Sequence, residues 1–189
     1  MAASKLPLGA SPGLVPGRDC TDCTLCCTIL GIQELNKPPG VECPHVKTHV
    51  GCTIYERRPR VCAAFYCGFL HQPDLAAHWR PKRSRMVLRF EDEARRIEAH
   101  VDPAKPDAWR KEPYYSELKA WARISAPLRR QVIVCVSQDD VIAILPDRDK
   151  RLGRVGQDET LACIEYQTPT GNVIYDVIVV KLNDPRIIN

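Results

Sequence analysis

The sequence predicts an α+β protein: a small, irregular cysteine-rich module stapled by metal, followed by an antiparallel sheet of about six strands with one main helix. Two observations support this class. Eight of the ten cysteines lie between Cys20 and Cys67, in a stretch too poor in aliphatic residues to fold around its own core. Residues 85–189 instead contain three pairs of apolar segments separated by short polar turns, which is the pattern of β-hairpins.

Composition divides the 189 residues into four segments. Residues 1–18 are rich in proline and glycine and predict a flexible tail. Residues 19–72 form the cysteine-cluster metal-binding module, and residues 73–84 are a polar connection. Residues 85–189 form the α+β region, whose role the sequence leaves open.

The sheet prediction follows from alternation of apolar and polar residues. The paired segments are residues 86–90 with 97–101, 132–136 with 141–145, and 161–166 with 172–180. Between the first two pairs, Pro113 opens a helix in which Tyr114, Leu118 and Trp121 share one face. Cys135 and Cys163 lie inside apolar strands and are predicted to be core residues.

Charge and hydropathy limit the classes of partner. The net charge of +4 is evenly spread, +2 in residues 1–80 and +2 in residues 81–189, so the sequence argues against a nucleic-acid partner. No apolar run approaches the roughly 20 residues that a membrane span needs. The first eighteen residues lack the apolar stretch of a signal peptide, so we expect a cytoplasmic protein without a membrane partner.

The cysteine pattern points to metal binding. The segment CTDCTLCC repeats a C-x2-C step, and such a step turns two thiolates toward one metal. Bacterial ferredoxins use the same C-x2-C-x2-C start for iron–sulfur clusters, with a later Cys-Pro pair that Cys43-Pro44 could supply. The predicted metal ligands are Cys20, Cys23, Cys26, Cys27, Cys43, Cys52, Cys62 and Cys67.

The residues leave the metal and the number of sites open. A disulfide framework is disfavoured because it needs an oxidising compartment. Eight thiols could form two four-thiolate sites, or one cluster surrounded by structural thiols. Pro59 predicts a helix over residues 60–70, which would hold Cys62 and Cys67 about 140° apart, so these two have different partners or the helix ends before Cys67. The repeated spacing favours a 4Fe–4S cluster over zinc.

CTDCTLCC, the following CPH and the later GCTIYERRPRVCAAFYC resemble the CxxCxxCC cysteine-cluster family, also called YkgJ-like, a zinc- or iron-chelating domain. The resemblance covers about residues 19–70. It implies that the same eight cysteines bind the metal, and it does not fix a reaction.

Three functions are compatible with this pattern. The first is an iron–sulfur protein within a redox or modifying system, and the second is a zinc-stapled module that binds a protein partner without catalysis. The third is metal chelation or storage.

Basic side chains also bear on the predicted metal site. Arg57, Arg58 and Arg60 could offset the negative charge of the thiolates. His100 does not have the spacing of a metal ligand relative to the cysteines.

Overall fold

The computed structural model describes residues 13–20, 22–47 and 50–187, and residues 1–12 of the predicted tail lie outside this range. The predicted α+β class is confirmed. The helices are α1 (Leu25–Ile29), α2 (Arg60–Ala64), α3 (Gly68–His71), α4 (Pro81–Ser84) and α5 (Tyr114–Ser125). The strands are β1 (Val46–Lys47), β2 (Gly51–Cys52), β3 (Met86–Glu91), β4 (Arg96–Val101), β5 (Gln131–Cys135), β6 (Val141–Ile144), β7 (Asp149–Gly153), β8 (Glu159–Gln167) and β9 (Val173–Lys181). Among the described residues, no helix is both long enough and apolar enough to cross a membrane.

Strands β3 to β7 form one five-stranded sheet in chain order. Its neighbours are antiparallel except β4 and β5, which run parallel because α5 carries the chain back across the sheet between them. The structure thus differs in detail from the predicted antiparallel sheet. Strand β7 was not predicted because its sequence DKRLG has no apolar alternation, and β8 and β9 pair in a separate two-stranded sheet.

The main core lies between α5 and one face of the sheet. Tyr114, Leu118 and Trp121 are all buried, which confirms the predicted helix face. Trp121 stacks on Trp79 with ring centroids 4.9 Å apart. The Nε1 of Trp79 donates a hydrogen bond to Glu117 Oε2 at 2.6 Å. The indole therefore satisfies its single donor while its rings stay in the core.

The cysteine-rich segment packs against the edge strand β3 and shares the core of the sheet. Leu25, Ile29 and Phe69 belong to the same buried cluster as the sheet residues. At position 68, a Cβ would come within 2.2 Å of the Phe90 ring, so Gly68 allows α3 to lie directly on β3. The short elements of this segment therefore share one buried core with the sheet.

Arg18 is the last residue of the predicted tail, and its side chain binds the cysteine-rich segment. Its guanidinium donates hydrogen bonds to the carbonyls of Phe69, Gln72 and Leu75 at 2.6 to 2.8 Å. The guanidinium carbon also lies 4.4 Å from the centre of the Phe69 ring. One side chain thus ties the chain before Cys20 to α3 and to the connection that follows it.

Candidate metal centre

Four of the predicted ligands line one small cavity. They are Cys20, Cys23, Cys26 and Cys67, which we call the cavity cysteines, and the cavity volume is about 30 Å³. The rest of the wall is largely apolar and includes Phe65, Phe69, Leu70 and Val87. The cavity therefore combines soft sulfur atoms with walls that limit access of water.

Local backbone structure explains how the repeated spacing reaches this cavity. The Cys23 amide donates to the Cys20 carbonyl at 3.1 Å, which closes a tight turn. Helix α1 then begins at Leu25, so Cys26 and Cys27 are consecutive helical residues. Their side chains diverge by about 100°. Cys26 consequently lines the cavity, while Cys27 joins a second set of thiols.

A break in the predicted helix brings Cys67 to the cavity. Helix α2 ends at Ala64, and Phe65 and Cys67 adopt extended backbone conformations before α3 begins. The prediction of one helix over residues 60–70 is therefore wrong, and its alternative, an end before Cys67, is confirmed. The cavity includes Cys67, and Cys43 lies elsewhere, against Cys27.

The remaining four cysteines, Cys27, Cys43, Cys52 and Cys62, form what we call the second cysteine group. The Cys43 amide donates to the Cys27 carbonyl at 3.1 Å. Cys52 on β2 pairs with Val46 on β1. Because Val46 is three residues after Cys43, this pairing brings Cys52 near Cys43. Burial raises the pKa of Cys62, and the nearby Cys27, Cys43 and Cys52 raise it further. These four thiols are thus close enough to share one electrostatic environment.

Glu34 fixes the start of α2, the helix that carries Cys62. The amides of Arg60 and Val61 each donate to a different carboxylate oxygen of Glu34 at 3.2 Å. A carboxylate is favourable here because the first amides of a helix have no partner within it and carry partial positive charge. The contact connects the loop after α1 to the helix that supplies the last thiol of the group.

Lys37 places a buried positive charge beside both sets of thiols. The residue is only 5% exposed, and its ammonium donates to the carbonyls of Thr28, Leu30 and Pro38 at 3.2, 2.5 and 3.1 Å. Burial lowers the pKa of Lys37, but the charges of Cys43, Cys27, Cys26 and Cys62 oppose that effect. Lys37 is therefore placed to compensate thiolates at Cys26 and in the second cysteine group.

Sequence reasoning missed Lys37 and offered Arg57, Arg58 and Arg60 as cations that could offset the thiolate charge. Of these, Arg58 lies 3.9 Å above the Tyr55 ring, and it only partly offsets burial and the nearby negative charges, which raise the pKa of Cys20. Spacing alone could not identify Lys37, because its proximity depends on the loop that folds back over α1. The only sequence signal was a lysine directly before Pro38 and Pro39 in a segment with few other charges.

The protonation of adjacent Cys26 and Cys27 is coupled. The hydrogen bond between them raises the pKa of Cys26 and lowers that of Cys27, so Cys27 ionises first. Burial raises the pKa of Cys67 to about 11. Because metals bind the thiolate form, a metal bound in the cavity would release protons from Cys26 and Cys67.

All ten cysteines are free thiols. Within the described ranges, no three side chains of His, Cys, Asp or Glu converge closely enough, as they stand, to ligate one ion. Cys163 is buried in β8, and Cys135 ends β5, where it packs against a second apolar cluster. The structure thus groups the eight predicted ligands into two neighbouring sets and leaves the last two cysteines in the sheets.

Comparison with family models, curated proteins and solved structures found no match.

Proposed function

We propose that the protein binds an iron–sulfur cluster of the 4Fe–4S type through the cavity cysteines. The observation that carries this proposal is the cavity itself, to which the C-x2-C-x2-C motif contributes three thiols and Cys67 a fourth. Four cysteine thiolates are the usual ligand set of such a cluster. The thiol side chains would have to rotate toward a common centre on binding, which short loops and a four-residue helix allow.

The chemistry of the donors favours a cluster over zinc at this cavity. Three sulfurs from one short segment suit the separate iron corners of a cubane, whereas structural zinc usually takes pairs of ligands from two separated turns. Phe65 and Phe69 in the wall would exclude water, and burial of a cluster is one determinant of its potential. When bound, the cluster would supply one-electron redox chemistry, and the protein would tune it through these walls and Lys37.

The second cysteine group favours a second candidate function. Cys52 lies on β2 and Cys43 lies three residues before β1, while Cys27 and Cys62 come from separate helices. Ligands from separated turns are typical of structural zinc. We propose zinc at this group, where it would staple the segment. If zinc occupied both groups, the protein would be the interaction module, or the chelator, that the sequence also allows.

We place the protein in the cytoplasm as part of a redox or modifying system, with a protein partner as the source or acceptor of electrons. Ten free thiols fit a reducing compartment, and the resemblance to the YkgJ-like cysteine-cluster family points to the same set of ligands. The net charge is the same in residues 1–80 and in residues 81–189, and this even distribution argues against a nucleic-acid partner.

Anaerobic purification followed by analysis of iron, zinc and acid-labile sulfide tests this proposal. We expect a brown protein that contains iron and sulfide in equal amounts, with visible absorption that bleaches on reduction. Zinc in addition would support the assignment of the second cysteine group. A colourless protein with stoichiometric zinc and no sulfide would overturn the iron–sulfur proposal in favour of the zinc module.

A further inference from the structure

Cys135, His100 and Glu98 lie together on one face of the five-stranded sheet, far along the chain from the cavity cysteines. His100 is the register partner of Cys135 in the parallel pair of β4 and β5. Glu98 lies two residues before His100, on the same face of β4. The Nε2 of His100 is 2.9 Å from Glu98 Oε2. A thiol, an imidazole and a carboxylate therefore lie in a row across two strands.

The carboxylate of this row is held by further charges. Arg89 on β3 and Arg96 on β4 lie 3.6 and 3.4 Å from Glu98. Burial opposes ionisation of Glu98, but His100 and the two arginines outweigh it and lower its pKa to about 2. Glu98 is thus a fixed negative charge that orients and stabilises a protonated His100.

The imidazole is correspondingly held in its charged form. Burial opposes the charge, but hydrogen bonds with Cys135 and Glu98 raise the pKa of His100 to about 9. Other charged or polar groups facing this row are Glu91 on β3, Gln131 on β5 and Thr160 on β8, the last of which accepts a hydrogen bond from Arg96 at 3.1 Å. The charged imidazole therefore lies beside Cys135, its register partner on β5.

Access distinguishes Cys135 from the other cysteine of the sheets. Cys135 is half-buried at the end of β5, whereas Cys163 is 7% exposed in the middle of β8. Burial raises the pKa of Cys163, and Arg129 only partly offsets it. Reactive cysteines occur in partly exposed, electropositive surroundings, and buried ones are inert.

We propose that Cys135, His100 and Glu98 form a nucleophilic thiol site that exchanges with disulfides. The Cys135 thiolate attacks one sulfur of a disulfide RSSR, the S–S bond of that molecule breaks, and a Cys135–S–S–R bond forms. The leaving thiolate RS⁻ takes the proton of His100 and departs as RSH, so Cys135 is oxidised and one RS group is reduced. This exchange needs a thiolate, a proton for the leaving group and a disulfide; Cys135 and His100 supply the first two, and the disulfide is the substrate.

The test uses the full chain and two of its own tryptic peptides. Cleavage after Arg130 and Arg148 gives peptide 131–148, in which Cys135 is the single cysteine, and peptide 155–181 contains only Cys163. Native protein is treated for increasing times with iodoacetamide, or with oxidised glutathione, between about pH 6 and pH 8. Mass spectrometry then gives the modification rate of each cysteine. Denatured protein is the reference, because both cysteines should be modified at the same rate there.

We expect peptide 131–148 to be modified at least about tenfold faster than peptide 155–181, with a rate that is nearly independent of pH over this range. His100→Gln should slow Cys135 by about tenfold at the acidic end and restore the pH dependence of an ordinary thiol. His78→Gln is the matched control, because His78 also pairs with a glutamate, Glu117, at 2.8 Å and is similarly buried. That variant should leave the Cys135 rate unchanged.

Equal rates for the two peptides in native protein would overturn the proposal, and so would equal effects of the two histidine variants. If His100→Gln does not fold, the pH dependence of Cys135 modification in the unmodified chain tests the proposal instead. A rate that rises about tenfold per pH unit from pH 6 to 8 is that of an unactivated thiol and would overturn it. This site does not depend on the proposed cluster, since the two peptides report it whether or not the metal is present.

Discussion

Replacing Lys37 by methionine separates a structural role of this residue from a role in metal binding. Methionine keeps the length of the side chain but removes the ammonium, so the carbonyls of Thr28, Leu30 and Pro38 lose their shared donor. Each hydrogen bond to a charged group contributes about 1.5–3 kcal/mol, and removal of the desolvated charge offsets part of the loss. We therefore expect the free energy of unfolding to fall by about 2–3 kcal/mol.

The chain contains a matched control for this change. Lys119 on α5 is also buried, and its ammonium donates to the carbonyls of Leu145 and Arg148 at 2.5 and 3.1 Å and lies 3.4 Å from the carboxylate of Asp149. Lys119→Met should therefore cost at least as much stability as Lys37→Met, because it also leaves Asp149 without this cation. It lies in the sheet region, away from the cysteine segment, so it should leave bound metal unchanged.

The assay is urea unfolding followed by tryptophan fluorescence, together with iron and zinc analysis of the same anaerobic samples. With a slope of about 2 kcal/mol per molar urea, both variants should lower the midpoint by at least about 1 M. Only Lys37→Met should also lower the content of bound metal, because it removes the cation beside Cys26 and beside Cys27, Cys43 and Cys62 of the second cysteine group. Equal metal retention in the two variants would refute the assignment of Lys37 to charge compensation.

Three further predictions concern other parts of the molecule. Exchange of both Cys135 and Cys163 for serine should leave the metal content unchanged, and a loss of metal would show that a sheet thiol is a ligand. Complete chelation under reducing conditions should expose residues 19–72 to protease before residues 85–189, because metal ligation contributes folding free energy directly; continued resistance of the first segment after metal loss would contradict this. The pKa of His100 is raised from 6.5 to about 9. Protonated His100 therefore adds at most about 3 kcal/mol to the free energy of unfolding, and this contribution should be complete below pH 6.5 and lost as the pH rises to 9. The difference in unfolding free energy between the unmodified chain and His100→Gln should accordingly shrink over that interval, and a constant difference would exclude the ion pair.

Local patterns in the sequence were sufficient to predict most strands and the main helix of residues 85–189. Alternation identified β3, β4, β5, β6, β8 and β9. Pro113 and the apolar face of residues 114–121 identified α5 because both signals are local. The parallel pairing of β4 with β5 was not predictable in this way, since it depends on where α5 returns the chain.

The grouping of the cysteines required the structure. Spacing placed Cys20, Cys23 and Cys26 together, but the choice of Cys67 over Cys43 as their neighbour depends on the helix break at Phe65. The row of Glu98, His100 and Cys135 was equally hidden. Its members are 37 residues apart along the chain, from 98 to 135, and meet only through the register of the parallel strands.

The central claim is that Cys67, and not Cys43, completes the cluster site with the repeated cysteines. It is tested most directly by comparing anaerobically purified Cys67→Ser and Cys43→Ser, with Cys163→Ser as the buried control, for iron, acid-labile sulfide and visible absorption. We predict that Cys67→Ser loses iron and sulfide together, while Cys43→Ser and Cys163→Ser retain both at the level of the unmodified protein. Retention of the cluster by Cys67→Ser together with its loss in Cys43→Ser would contradict the assignment.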